Sequence, residues 1–367
     1  MRITDVQAHV VFGRSVFVRV FTDEGLVGLG ECSPMHPVQI AHAINTVLKD
    51  LILGMNPLEV DKVWSRMYYD AYKMGESGLH LQAMSGVDIA CWDILGKALG
   101  QPLCVLLGGC YREKIRMYVS MGVIKSPDWR DRRTPLEVAN MVEENLKLGF
   151  TAAKIRMHWE YNIDVDPETD LAMFRESKQV AGDTIPLSFD ANNGYSESTA
   201  ILQGRRFEAL GIYHFEEPLM VDDYTGYARV ADALDTPISA GEHEYTLWQF
   251  RELIGRGKVD IIQPDLVKCG GITPIRKIAA LGEAHHKHIV PHMTQPTIGT
   301  VANIHFIASL RGATRPQEFT RVNDRLNALF KEPIVPDADG YLTVPTKPGL
   351  GLELDEAAYA RAIEATA

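Results

Sequence analysis

The chain has no stretch approaching the roughly 18 consecutive apolar residues that a bilayer-spanning helix needs. Nor does it open on a charged segment leading into an apolar run. Met1-Arg2-Ile3-Thr4-Asp5 reads as the start of a strand, so no secretory signal is expected. Cysteine is sparse: Cys32, Cys91, Cys104, Cys110 and Cys269, an odd number with no C-x-x-C pair. That pattern fits reduced thiols in a cytoplasm better than a disulfide framework. Positive charge is also short. Lys and Arg total 37 against 48 acids, a net charge of −11. This argues against a nucleic-acid partner and against attachment to an anionic membrane surface. Low-complexity segments and disordered linkers are absent too.

What remains is ordinary globular composition, 46% apolar and 23% charged over 367 residues, enough for two domains or one large barrel with an addition. Val16–Phe21 and Leu26–Glu31 flank Thr22-Asp23-Glu24-Gly25, a hairpin turn. From Val38 the apolar spacing turns helical, and two or three further helices follow over 58–100, ending at Gly96, Gly100 and Pro102. Strands first and helices after make an α+β module. From about 115 the pattern repeats. Strands are expected at 116–121, 151–157, 185–191, 212–216, 237–241, 259–264, 288–292 and 315–319, separated by helical patterns. Eight such units predict an α/β chain with a closed (β/α)-barrel, whose chemistry gathers at the C-terminal ends of the strands. The expected division is 1–115 for the first module, 116–340 for the barrel and 341–367 for a tail packing back on the first module.

Three predicted barrel strands end in carboxylates: Asp190, Glu216 and Glu242, spaced 26 residues apart and 26 again. An equal period puts them at one height on neighbouring strands. Three converging hard oxygen donors suit Mg²⁺. Otherwise they are strand-terminal acids that merely meet solvent.

The next two strands end in Asp265 and His292, 27 residues apart. A carboxylate beside an imidazole fixes its tautomer and makes a general base, unless the pair is only structural. Strand two ends Lys154-Ile155-Arg156, and alternation lets both cations face the barrel interior. Lys adapts to burial and can become a base; Arg stays protonated and suits an oxyanion. Glu318 ends the last strand, either as a neutral donor to a substrate carboxylate or as a rim salt-bridge partner. Asn192 and His243 follow metal-type carboxylates and are candidates to touch substrate. His285-His286-x-His288 imitates a zinc site but falls at the bottom of the barrel.

Together these residues resemble the enolase superfamily, mandelate racemase subgroup, and within it the acid-sugar dehydratases. Ser85-Gly86-Val87-Asp88-Ile89-Ala90-x-Trp92-Asp93 and Leu106-Leu107-Gly108-Gly109 resemble its capping-domain signature. The resemblance implies an α+β cap, a modified (β/α)8 barrel, and Mg²⁺ held by Asp190, Glu216 and Glu242. It also implies an Asp265–His292 dyad, and a cap residue such as His36 over the barrel mouth. Muconate-lactonizing relatives carry Lys where Asp265 stands. The racemases carry Lys-x-Lys where this chain has Lys154-Ile155-Arg156; the run on to Met157-His158-Trp159 is similar to rhamnonate-type dehydratases. The first-strand loop Phe12-Gly13-Arg14-Ser15 is short.

The expected activity is Mg²⁺-dependent dehydration of a sugar acid, in a cytoplasmic homo-oligomer with no nucleic-acid or membrane partner. A racemase, an epimerase or a lactone cycloisomerase would use the same metal site. A non-catalytic sugar-binding barrel would not need the Asp–His pair. A zinc amidohydrolase would need His-x-His where this chain has Tyr118-Val119-Ser120-Met121.

Overall fold

Three antiparallel strands open the computed structural model, which describes residues 1–125, 128, 130–157, 162–293 and 295–365. They are β1 (Ile3–Val11), β2 (Ser15–Thr22) and β3 (Val27–Cys32), in that order across the sheet. The predicted hairpin turn joins β2 to β3, with Gly25 at φ +80° and its N–H donating to the Thr22 carbonyl at 3.2 Å. Helices at Pro37–Ala43, Val60–Ala71 and Leu79–Leu99 follow. The last is buried almost all round from Leu81 to Ile94. It lacks a polar face because it is covered on one side by the sheet and on the other by the barrel. Gly86 and Gly30 make this packing possible: a Cβ on Gly30 would stand 1.9 Å from the Gly86 carbonyl oxygen.

All eight expected barrel strands are present and parallel: β4 (Lys114–Gly122), β5 (Ala153–Arg156), β6 (Leu187–Asp190), β7 (Phe215–Glu216), β8 (Ile238–Ala240), β9 (Ile261–Ile262), β10 (His288–Ile289) and β11 (Gln317–Phe319). They pair in sequence order from β4 to β10, and β11 returns to pair with β4. Among the described residues no ladder joins β10 to β11. A side chain spans that seam: the Met293 N–H donates to Glu318 Oε2 at 2.9 Å. Seven of the eight strands are shorter than the apolar pattern predicts, six of them trimmed at the N-terminal end, while β4 is longer.

After the barrel, β12 (Tyr341–Thr343) runs antiparallel to β4. The final helix, Glu356–Glu364, lies against the first sheet. Tyr359 stacks on Phe17, and Glu356 pairs with Arg19 at 2.7 Å. Polar ties also join the first module to the barrel. The Asp88 carboxylate accepts from the Thr273 N–H at 2.9 Å and hydroxyl at 2.6 Å. Trp64 Nε1 donates to the Gly270 carbonyl at 3.0 Å.

The expectation of five reduced thiols is corrected. Cys104 and Cys110 form a disulfide, with Cα atoms 5.4 Å apart, while Cys32, Cys91 and Cys269 are free and buried. Gly108 and Gly109, at φ +127° and +115°, turn the chain back between the two. No described helix is long and apolar enough to cross a membrane.

Candidate active site

The strand register delivers the carboxylates. Arg156, Asp190 and Glu216 are successive partners across β5, β6 and β7. Glu242 lies two residues beyond the end of β8. Its approach depends on Gly241, at φ +138°, where a Cβ would meet the Gln263 backbone nitrogen at 2.8 Å. The ligand-type oxygens of Asp190, Glu216 and Glu242 all lie within 4.8 Å of one another. This is the arrangement the equal spacing predicts.

Neighbours hold each carboxylate in place. Asp190 accepts from the Asn192 N–H at 2.8 Å and its side-chain amide at 2.9 Å. Asn192 therefore grips a candidate metal ligand. Gln263 Nε2 donates to Glu216 Oε2 at 2.6 Å. Lys268 Nζ stands 3.8 Å from Glu242. Lys154 is fully buried and ion-paired to Glu216, to Glu318 at 3.1 Å and to Asp190 at 3.7 Å. Burial opposes its charge, but Glu216 and Glu318 outweigh it and hold the ammonium well above its ordinary range. Burial, then the neighbouring Glu216, pushes the Asp190 carboxyl well up. Burial opposes ionisation of the other two as well, but Lys154 holds the Glu216 carboxyl low and His292 holds that of Glu242 at about 2, so both are anionic. Converging hard oxygen donors of this kind fit a divalent cation, Mg²⁺ in particular.

The dyad is assembled. His292 Nδ1 lies 2.7 Å from Asp265 Oδ2, and Nε2 lies 3.1 Å from Glu242 Oε2. Asp265 Oδ1 also accepts from the Val267 N–H at 2.8 Å, which fixes the carboxylate. Burial alone would push the imidazole down; Glu242, Glu318 and Asp265 outweigh it and lift His292 to about 9.

Other sequence candidates fall in different places. Glu318 is buried and ion-paired with Lys154 at 3.1 Å, a salt bridge inside the barrel and not on its rim. His243 lies 3.5 Å from Glu242 and 3.7 Å from Glu217, and burial pushes it down to about 4. Arg156 lines a cavity beside the triad, together with Pro34 and Met35 of the first module. His36 does not line it; it is exposed, at φ +56°, one residue past Met35. His158 and Trp159 lie outside the described residues. Among the described residues His285, His286 and His288 form no metal-type group.

Sequence reasoning passed over Glu217, Gln263 and Lys268. Glu217 is buried at φ +41° and forms a second metal-type group with Glu242 and His243. Its signal was adjacency to Glu216, which alternation would have sent to the opposite face of a regular strand.

Comparison with known proteins identifies the family. Residues 6–108 match the mandelate racemase / muconate lactonizing enzyme N-terminal domain, and residues 137–358 match the enolase C-terminal domain-like family. The chain belongs to the enolase superfamily, in its mandelate racemase branch. A D-galactarolactone cycloisomerase from Agrobacterium fabrum is 34% identical over 96% of this chain and 90% of its own length. An arabinonate dehydratase from Saccharolobus solfataricus is 32% identical over 94% of this chain and 89% of its own. A mandelate racemase/muconate lactonizing protein from Paracoccus denitrificans, solved complexed with magnesium, superposes with a TM-score of 0.93 at 37% identity, covering 98% of this chain and 96% of that one.

Proposed function

We propose that the chain is a Mg²⁺-dependent dehydratase of a sugar acid. One observation carries the reading: a single imidazole, His292, touches both Asp265 and the carboxylate triad. A base in that position meets the carbon beside a carboxylate bound at the triad. Relatives named as sugar-acid dehydratases support the substrate class.

Mg²⁺ held by Asp190, Glu216 and Glu242 would supply Lewis-acid stabilisation to the substrate carboxylate. The chain's own residues do the rest. His292 Nε2 takes the proton from the carbon next to the carboxylate, while Asp265 holds Nδ1–H and supports the imidazolium. Lys154 and Arg156 stabilise the negative charge that develops. Glu318 positions Lys154. The protonated His292 then donates to the hydroxyl on the following carbon, which leaves as water. The resulting enol becomes a 2-keto-3-deoxy acid.

A second reading is favoured by the 34% identity to a lactone cycloisomerase. Removal of the same proton would expel a ring oxygen in place of hydroxide, so the product would be an isomer of the substrate. Screening sugar acids and sugar lactones with Mg²⁺ separates the two. Keto-acid formation with loss of one water supports dehydration, and keto-acid formation at unchanged mass supports ring opening. Keto acid from neither class ends both.

A further inference from the structure

Glu217, Glu242 and His243 form a group distinct from the Mg²⁺-type triad, with Glu242 common to both. One ligand-type atom of each lies within 4.8 Å of the others. His243 Nε2 stands 3.5 Å from Glu242 Oε1 and 3.7 Å from Glu217 Oε2. Both separations are long for a hydrogen bond to an imidazole. They suit donors that share an ion: two ligands about 2.0 to 2.1 Å from a tetrahedral Zn²⁺ lie roughly 3.3 to 3.4 Å apart.

Glu217 gives the group its second argument. It is 1% exposed, and its Oε2 has no hydrogen-bond partner among the described residues. That oxygen is the one turned to His243. The Glu217 N–H donates to the Ser239 carbonyl at 2.9 Å, and its carbonyl accepts from the Asn193 N–H at 2.8 Å. The orphaned oxygen therefore belongs to a residue whose backbone is fixed. A buried carboxylate oxygen without a donor marks a place where something else supplies positive charge. Lys268 does not fill that role. It stands 3.8 Å from Glu242 Oε1 and makes no ion pair with Glu217 among the described residues. The His243 side chain is 35% exposed, so the group opens to solvent and an ion can enter. Glu242 turns its two oxygens different ways, Oε1 to His243 and Oε2 to His292.

We propose that Glu217, Glu242 and His243 bind a second divalent cation, of the Zn²⁺ class, through a Glu242 carboxylate shared with the triad. The nitrogen donor sets the class. Imidazole beside carboxylates suits Zn²⁺, whereas Mg²⁺ takes oxygen donors in near-octahedral geometry. Water completes the coordination on the exposed side of His243. The site rests on geometry and not on the dehydratase reading.

The test counts Zn²⁺ bound to the metal-free protein by equilibrium dialysis and reads its donors by X-ray absorption. Wild type is expected to take two equivalents, one at the triad and one here. Asp190→Asn, which removes a triad ligand, is expected to keep one, with the scattering of one coordinated imidazole. Adding His243→Asn or Glu217→Gln to that variant should weaken the remaining Zn²⁺ by roughly 100-fold or more, since losing even an outer partner of a metal ligand costs up to that much. His243 is partly exposed, so His243→Asn is expected to retain the circular dichroism spectrum of the fold. In the wild-type background His243→Asn still binds Mg²⁺. A single Zn²⁺ equivalent in wild type, or two in His243→Asn, overturns the proposal and leaves the Mg²⁺ triad and the dehydratase reading standing. An imidazole signature that persists in His243→Asn and vanishes in His292→Asn also overturns it, because the ion then lies on the His292 side of Glu242.

Discussion

His292 Nε2 stands 3.1 Å from Glu242 Oε2, so the candidate base and a candidate metal ligand share one contact. The contact couples the proton affinity of the imidazole to whatever Glu242 binds. Burial pulls His292 down, and Glu242 is the largest of the influences that lift it to about 9.

A cation on Glu242 weakens that lift. The His292 midpoint is therefore expected near 9 without Mg²⁺ and at lower pH with it, toward the range where a base works best. NMR titration of the labelled imidazole, with and without saturating Mg²⁺, checks this. A midpoint indifferent to Mg²⁺ would take Glu242 out of the ligand set.

Glu216→Gln removes the central carboxylate and keeps its shape. Mg²⁺ affinity by calorimetry is expected to fall by roughly 100-fold or more, with the circular dichroism spectrum retained. Affinity equal to wild type would refute the triad.

Lys154→Met removes the buried ammonium between Glu216, Glu318 and Asp190. Turnover is expected to drop about 100- to 1,000-fold, the scale of one lost charge-stabilising donor. Exchange of the substrate's 2-proton continues at a reduced rate because His292 remains. Unchanged kcat would remove Lys154 from the chemistry.

Glu31 tests the junction between the first sheet and the barrel. It is fully buried, accepting from the Thr297 hydroxyl at 2.7 Å and from the Gly299 N–H at 2.7 Å. Burial raises its carboxyl from 4.5 to about 7 despite these bonds. The folded state therefore holds a proton that the unfolded state releases. Its stabilising contribution, on the order of 3 kcal/mol, is present below pH 4.5 and lost as pH rises through about 7. Glu31→Gln should melt with wild type at about pH 5 and above it at about pH 8.5. A variant less stable than wild type at the higher pH would contradict this.

Asp190, Glu216 and Glu242 were legible because a barrel repeats its strand-end positions at a near-constant chain spacing. The Asp265–His292 contact follows from the same period. Residues in the longer loops were not legible, since loop geometry follows no period. Pro34 and Met35 reach the cavity while His36, the chemically conspicuous neighbour, faces solvent. Glu217 enters the site through a left-handed backbone that alternation cannot anticipate. Glu31 carries no motif, and its importance lies in burial. The Cys104–Cys110 bridge was hidden by an odd cysteine count; the Gly108-Gly109 turn brings the two cysteines together.

The central claim is that His292 is the one base, and solvent isotope exchange tests it most directly. In D₂O with Mg²⁺ and a sugar acid that the wild-type protein dehydrates, His292→Asn is expected to lose deuterium incorporation at the 2-position and keto-acid formation together. Arg156 keeps its proton at any working pH. Lys154, held charged by Glu216 and Glu318, offers no free base. Exchange in His292→Asn at a rate near wild type would contradict the account. It would make Lys154 a second base and favour a racemase or epimerase.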